Sequence, residues 1–174
     1  MGSWKPEDGY GPDGRSNPVM WLAPPGPYSM GAVIGPLSRQ RVESVFGDGK
    51  ATRRISTYGH LGEQRDKKER PHFLCMRGGV PMHLDPGFTR YSHHLILWNE
   101  GYRTTGPRDE PYPPLVAGTL YALDTHAPHA VVPDIRLGTG PYKLDAVIDS
   151  DELMGPGEVA FALREFLAAS PPPC

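Results

Sequence analysis

The triplet His83-Leu84-Asp85 is where residue type and spacing most directly suggest chemistry. At the end of an extended strand, residues i and i+2 point the same way. An imidazole nitrogen of His83 and a carboxylate oxygen of Asp85 can then reach one point in space. A third ligand has to come from elsewhere in the chain. His129, at the start of a strand-like run, and His126, in the turn before it, are the candidates, and His129 is preferred. Two histidines and one carboxylate form the facial triad of mononuclear non-haem iron, which leaves three coordination positions open. Zinc held by His, His and Asp is the chemical alternative.

The elements that must position these side chains are short. Strand-like runs appear at His72–Arg77, Tyr91–Trp98, Thr119–Leu123, His129–Val132 and Tyr142–Asp149, separated by Gly and Pro turns. That punctuation predicts a mainly β sandwich or barrel. Glu158–Ala169 is the clearest helix: Val159, Leu163, Phe166 and Leu167 form an apolar stripe, and Pro171 ends it. A second short helix is predicted over Leu37–Phe46. Residues 1–28 read as an extended Pro/Gly-rich arm, followed by one domain over 29–174. Asp48 to Arg70 is strongly polar, and its charge run Glu63–Arg70 reads as a solvated loop. Arg103 to Pro114 reads as a second, Pro-rich loop.

Composition narrows the function classes. The chain has 174 residues with 21 Gly and 21 Pro, which suits a turn-rich β protein rather than a helical bundle. Its 38% hydrophobic content is enough to build a core in one domain without disulfides. Lys and Arg number 18 against 20 Asp and Glu, a net charge of −2, so there is no basic nucleic-acid footprint. Cys75 and Cys174 form neither a disulfide framework nor a CxxC site. With no apolar leader and no membrane-length apolar run, a cytoplasmic location is expected.

Longer strings around the histidines carry a resemblance. Pro81-Met82-His83-Leu84-Asp85 is followed by Arg90-Tyr91-Ser92-His93-His94-Leu95-Ile96-Leu97, then Gly118-Thr119-Leu120-Tyr121-Ala122-Leu123-Asp124, then His129-Ala130-Val131. From about Phe73 to Ile148 the chain resembles the aspartyl/asparaginyl β-hydroxylase family of Fe(II)- and 2-oxoglutarate-dependent oxygenases, and the related proline cis-4-hydroxylases. The resemblance implies a double-stranded β-helix, the cupin-like jelly roll, with the C-terminal helix packed outside it. It implies His83, Asp85 and His129 as Fe(II) ligands, with 2-oxoglutarate and O2 as cosubstrates. It places His94 against 2-oxoglutarate. Ser92 stands where an Arg doing the same work is common, and Arg90, two residues earlier, is positioned to compensate. Thr139 stands where the family carries the Arg that anchors the distal carboxylate. Lys143, preferred, or Arg136 would take that role. The implied reaction is hydroxylation of a C–H bond in an amino-acid side chain, free or peptidyl, with release of succinate and CO2. The alternatives are a non-catalytic cupin-like binding module and a different metal-dependent enzyme, such as a zinc hydrolase, on the same barrel.

Overall fold

The apolar and aromatic runs between turns pair into two antiparallel sheets. The structure, a computed structural model, describes residues 19–26, 40, 52–55, 71–77, 80–87, 89–105, 116–133 and 142–169. Nine strands lie among them: β1 (Val19–Ala23), β2 (Thr52–Ile55), β3 (His72–Arg77), β4 (Val80–His83), β5 (Tyr91–Asn99), β6 (Tyr102–Thr105), β7 (Leu120–Asp124), β8 (His129–Pro133) and β9 (Tyr142–Ser150). A helix, α1 (Pro156–Ala169), follows. One sheet has the order β1-β7-β5-β9-β3-β2 and the other β4-β8-β6. From β3 to β9, successive strands alternate between the two sheets.

Both faces of the larger sheet are buried. Leu144, Ala146 and Ile148 of β9, Leu95 and Leu97 of β5, and Phe73 of β3 pack with Val159, Leu163, Phe166 and Leu167 of α1. The Phe73 and Phe166 rings stand 4.8 Å apart. The opposite face carries Ile96, Tyr121 and Leu123, and it turns toward the smaller sheet. This two-sided burial lets Lys143 sit buried although its neighbour Leu144 faces the helix. Helix α1 begins two residues before the predicted start because Pro156 suits a first helical position, where no amide donor is needed. Glu158 lies in its first turn, where the helix dipole favours an anion. Leu163 is fully buried at the centre of this contact. Leu163→Ala is expected to lower unfolding stability by about 2–5 kcal/mol. Denaturant titration checks this, and a loss below 1 kcal/mol (roughly a surface effect) would contradict the packing.

The sequence reading needs three corrections here. Val19–Ala23 belongs to the larger sheet rather than to an arm: β1 pairs with β7, and Val19, Met20, Leu22 and Ala23 are buried. Flanking Pro and Gly hid a run whose apolar residues fill both faces of a sheet edge. Thr52–Ile55 is a strand on β3 within the stretch read as polar. Tyr102–Thr105 is a strand that takes up the start of the predicted Arg103–Pro114 loop. Gly101, at φ 88°, makes the tight turn from β5 into β6. Asn99 brackets that turn: its Oδ1 accepts from Tyr102 N–H at 2.8 Å and its Nδ2 donates to Tyr102 O at 3.1 Å. The turn carries the chain from one sheet to the other and buries Tyr102 beside Met76 and Val131. Residues 1–18, Leu37–Phe46 except 40, Glu63–Arg70, Arg136 and Cys174 lie outside the described residues.

His93 ties the segment that leads into α1 to the sheet. Its Nδ1–H donates to Ile148 O at 3.1 Å, and its Nε2 accepts from Met154 N–H at 2.9 Å. Burial pushes its pKa down to about 4. A histidine with a depressed folded pKa gives stability above its unfolded value, near 6.5, and loses it as pH falls toward 4. Acidification across that window is expected to remove about 3 kcal/mol through His93. Denaturation midpoints for wild type and His93→Gln check this. The variant should be less stable at neutral pH and show a shallower acid slope; an unchanged slope would contradict the assignment.

Candidate metal centre and pocket

Strand register places His83 and His129 together. His83 of β4 and His129 of β8 are direct cross-strand partners, so their side chains share a face. Their ring centroids are 4.3 Å apart. Asp85, two residues past His83, turns its Oδ2 between them, 3.4 Å from His83 Nε2 and 3.7 Å from His129 Nε2. Ligand atoms of all three lie within 4.8 Å of one another. His129 is buried, whereas His83 and Asp85 are about one-third exposed.

The hydrogen-bond partners of the two rings suit a cation here. His83 Nδ1 lies 2.7 Å from Pro81 O, and His129 Nδ1 lies 2.8 Å from Ala127 O. A carbonyl only accepts, so each Nδ1 carries the hydrogen. Burial lowers the His129 pKa, and the neighbouring His83 adds to that shift. The neutral ring then presents a bare Nε2 lone pair to the Asp85 carboxylate. The His129 lone pair and the Asp85 carboxylate thus approach with no hydrogen between them, an arrangement that a cation would relieve. Backbone carbonyls that fix the far nitrogen are the usual support of ligating histidines. Three ligands at right angles, each about 2.1 Å from a common ion, lie about 3 Å apart; Asp85 Oδ2 stands 3.4 and 3.7 Å from the two imidazole nitrogens. The group could hold a metal ion.

Two loops are clamped together to hold this arrangement. Asp85 N–H donates to Thr125 O at 2.8 Å, and Thr125 N–H donates to Arg90 O at 2.8 Å. Thr125 Oγ1 donates to Thr89 O at 2.9 Å. Asp124 Oδ1 accepts from His126 N–H at 3.1 Å, and its Oδ2 accepts from Arg90 Nη2 at 3.2 Å. Asp124 is therefore a turn cap rather than a partner of a ligating imidazole.

Behind the triad, between the two sheets, is a cavity of about 180 Å³. That is smaller than a drug-sized pocket of ~300–1,000 Å³ and suits a small ligand. Buried polar side chains stand in its inner wall. Lys143 of β9 and His94 of β5 line it, both 3% exposed, and both bond to the fully buried Asp145. Asp145 Oδ2 receives Lys143 Nζ, His94 Nδ1 at 2.8 Å and the Tyr121 hydroxyl at 3.3 Å. Lys143 Nζ also donates to the Tyr121 oxygen at 3.1 Å. His94 Nε2 faces Ser92 Oγ at 3.0 Å, and its ring stacks on Tyr121 at 4.6 Å. Burial alone would push the Asp145 carboxyl up, but the Lys143 charge and the His94 hydrogen bond outweigh it and hold it below the usual carboxylate range. Burial lowers the His94 pKa against the opposing pull of Asp145. Burial and the Asp145 charge raise the Tyr121 phenol well above its ordinary value.

Of the residues singled out in the sequence, His83, Asp85, His129, Ser92, His94 and Lys143 line this one pocket. His126 is exposed and lies outside the three-residue group, so the geometry selects His129. Arg90 does not reach the lining: its guanidinium pairs with Asp124 and lies 5.0 Å from the Tyr91 ring centroid. Arg90 was expected to compensate for Ser92; the Asp124 carboxylate at the strand end holds its guanidinium here. His72, the first residue of β3, is buried. Sequence reasoning passed over Asp145 and Tyr121. The signal for Asp145 was its i+2 spacing from Lys143 on one strand, which puts both on one face. The chain matches no protein-family model, and no curated protein matches it.

Proposed function

We propose that the protein is an Fe(II)- and 2-oxoglutarate-dependent oxygenase that hydroxylates a C–H bond of an amino-acid side chain, free or peptidyl. One observation carries the reading. A two-histidine, one-carboxylate group stands at the mouth of a small pocket whose inner wall presents a buried lysine. Strands alternating between two sheets support a double-stranded β-helix, with the triad on β4, the following loop and β8.

Fe(II) bound here with 2-oxoglutarate and O2 would supply the oxidising power for C–H hydroxylation, with release of succinate and CO2. The chain's own part is to bind and orient. His83, Asp85 and His129 would hold the metal. Lys143 gives a charge-assisted hydrogen bond to the distal carboxylate of the acid. Leu74, Met76 and Val131 exclude water around it. The pairing of Lys143 with Asp145 favours a second reading, a metal-binding barrel that does not accept 2-oxoglutarate.

The test is succinate formation from 2-oxoglutarate with Fe(II), ascorbate and air, with free amino acids and short peptides as substrates. Iron-dependent succinate that disappears in Asp85→Ala supports the oxygenase. Iron binding with no succinate under any condition supports the second reading.

A further inference from the structure

We infer that the pocket binds a carboxylate at Lys143 together with one proton from solvent, and that His94 takes that proton. The inference rests on the reading above that an acid occupies the inner pocket. The Lys143 ammonium and the Asp145 carboxylate already form a balanced pair, with Lys143 3% exposed and Asp145 fully buried. A ligand carboxylate arriving at Lys143 puts a second anion beside Asp145 where water cannot screen it. An uncompensated buried charge is strongly unfavourable.

His94 is built to restore the balance. Its Nδ1–H donates to the same Asp145 oxygen that receives Lys143. That leaves Nε2 bare in the neutral ring, accepting from the Ser92 hydroxyl at 3.0 Å. A serine hydroxyl can donate or accept. When Nε2 gains a proton, it becomes the donor to Ser92 Oγ, and the hydroxyl hydrogen rotates away. No heavy atom has to move. The result is two balanced pairs, Lys143 with the ligand carboxylate and protonated His94 with Asp145. The Ser92 and Asp145 contacts together make His94 a proton acceptor rather than a direct ligand contact.

The other groups facing His94 fit this assignment. On β9, Asp149 draws His94 toward the charged form, while Lys143 opposes it until its charge is shared with the ligand. On β7, Tyr121 stacks on the ring as a neutral phenol. On β3 and β6, the pocket-lining Leu74, Met76 and Thr104 carry no charge. His93, on the opposite face of β5, is neutral. Across the pocket stand His83, Asp85 and His129.

The test is calorimetric titration of the metal-free protein with glutarate and with 2-oxoglutarate, in phosphate and in Tris at neutral pH. Wild type should take up about one proton per ligand, and its affinity should rise about tenfold per pH unit on acidification. His94→Gln should still bind, with uptake near zero. Nitrogen-15 NMR of unmutated protein reads the same event, as His94 Nε2 moving from unprotonated to protonated on ligand addition. Binding without proton uptake, uptake that survives in His94→Gln, or an unshifted Nε2 overturns the inference and leaves the cosubstrate reading standing. No binding of either acid, repeated with Fe(II) present, overturns both.

Discussion

Replacing His129 by alanine is expected to abolish Fe(II) binding. Partners that merely orient a ligand are worth roughly 10–100-fold in metal affinity, so loss of the ligand itself should exceed about 100-fold. His83 and Asp85, each about one-third exposed, would then be left as two ligands at the pocket mouth. His126→Ala is the matched control. It removes an imidazole three residues away whose side chain lies outside the ligand group. Anaerobic equilibrium dialysis with Fe(II) distinguishes the two. Equal binding by His129→Ala and wild type would place the metal elsewhere or nowhere. The fold should survive, because His129 sits at the wall of a cavity and not in the apolar cluster against α1.

Lys143→Ala is expected to have the largest effect on stability among changes in the pocket. It strips Asp145 of its counter-ion and leaves a fully buried carboxylate with only His94 and Tyr121 as donors. Breaking a buried pair from one side costs about 3–5 kcal/mol, whereas replacing both partners by apolar groups of similar volume is often neutral. Lys143→Met combined with Asp145→Leu should therefore be more stable than Lys143→Ala alone. Neither variant should bind 2-oxoglutarate as wild type does. Denaturant titration of the three proteins checks the ordering. A Lys143→Ala loss below about 1 kcal/mol would mean that the pair is solvated, as surface pairs are.

The parts of the fold legible in the sequence were those whose apolar residues form runs bounded by turns. β3, β5, β7, β8 and β9 fall within a residue or two of the runs between turns, and the stripe of α1 is the one that packs on the sheet. β1 was hidden by its Pro- and Gly-rich surroundings, and β2, Thr-Arg-Arg-Ile, has no apolar alternation to find. β6 is four residues long, and only its pairing with β8 in the smaller sheet gives it a core role, through Tyr102. The grouping of His83, Asp85 and His129 was legible for a local reason. His83 and Asp85 are two residues apart, and the partner strand begins at His129. The buried network was not. A carboxylate on a strand reads as a solvent-facing residue, and only the packed structure shows that Asp145 meets Lys143, His94 and Tyr121 at one oxygen.

The central claim is that the triad holds iron in the same pocket that takes 2-oxoglutarate. Its most direct test needs no substrate. Anaerobic protein loaded with Fe(II) and then with 2-oxoglutarate should develop a weak visible metal-to-ligand charge-transfer band, and the band should be absent in His129→Ala. Iron that binds without producing the band would contradict the cosubstrate assignment, and failure to bind iron at all would contradict the metal centre itself.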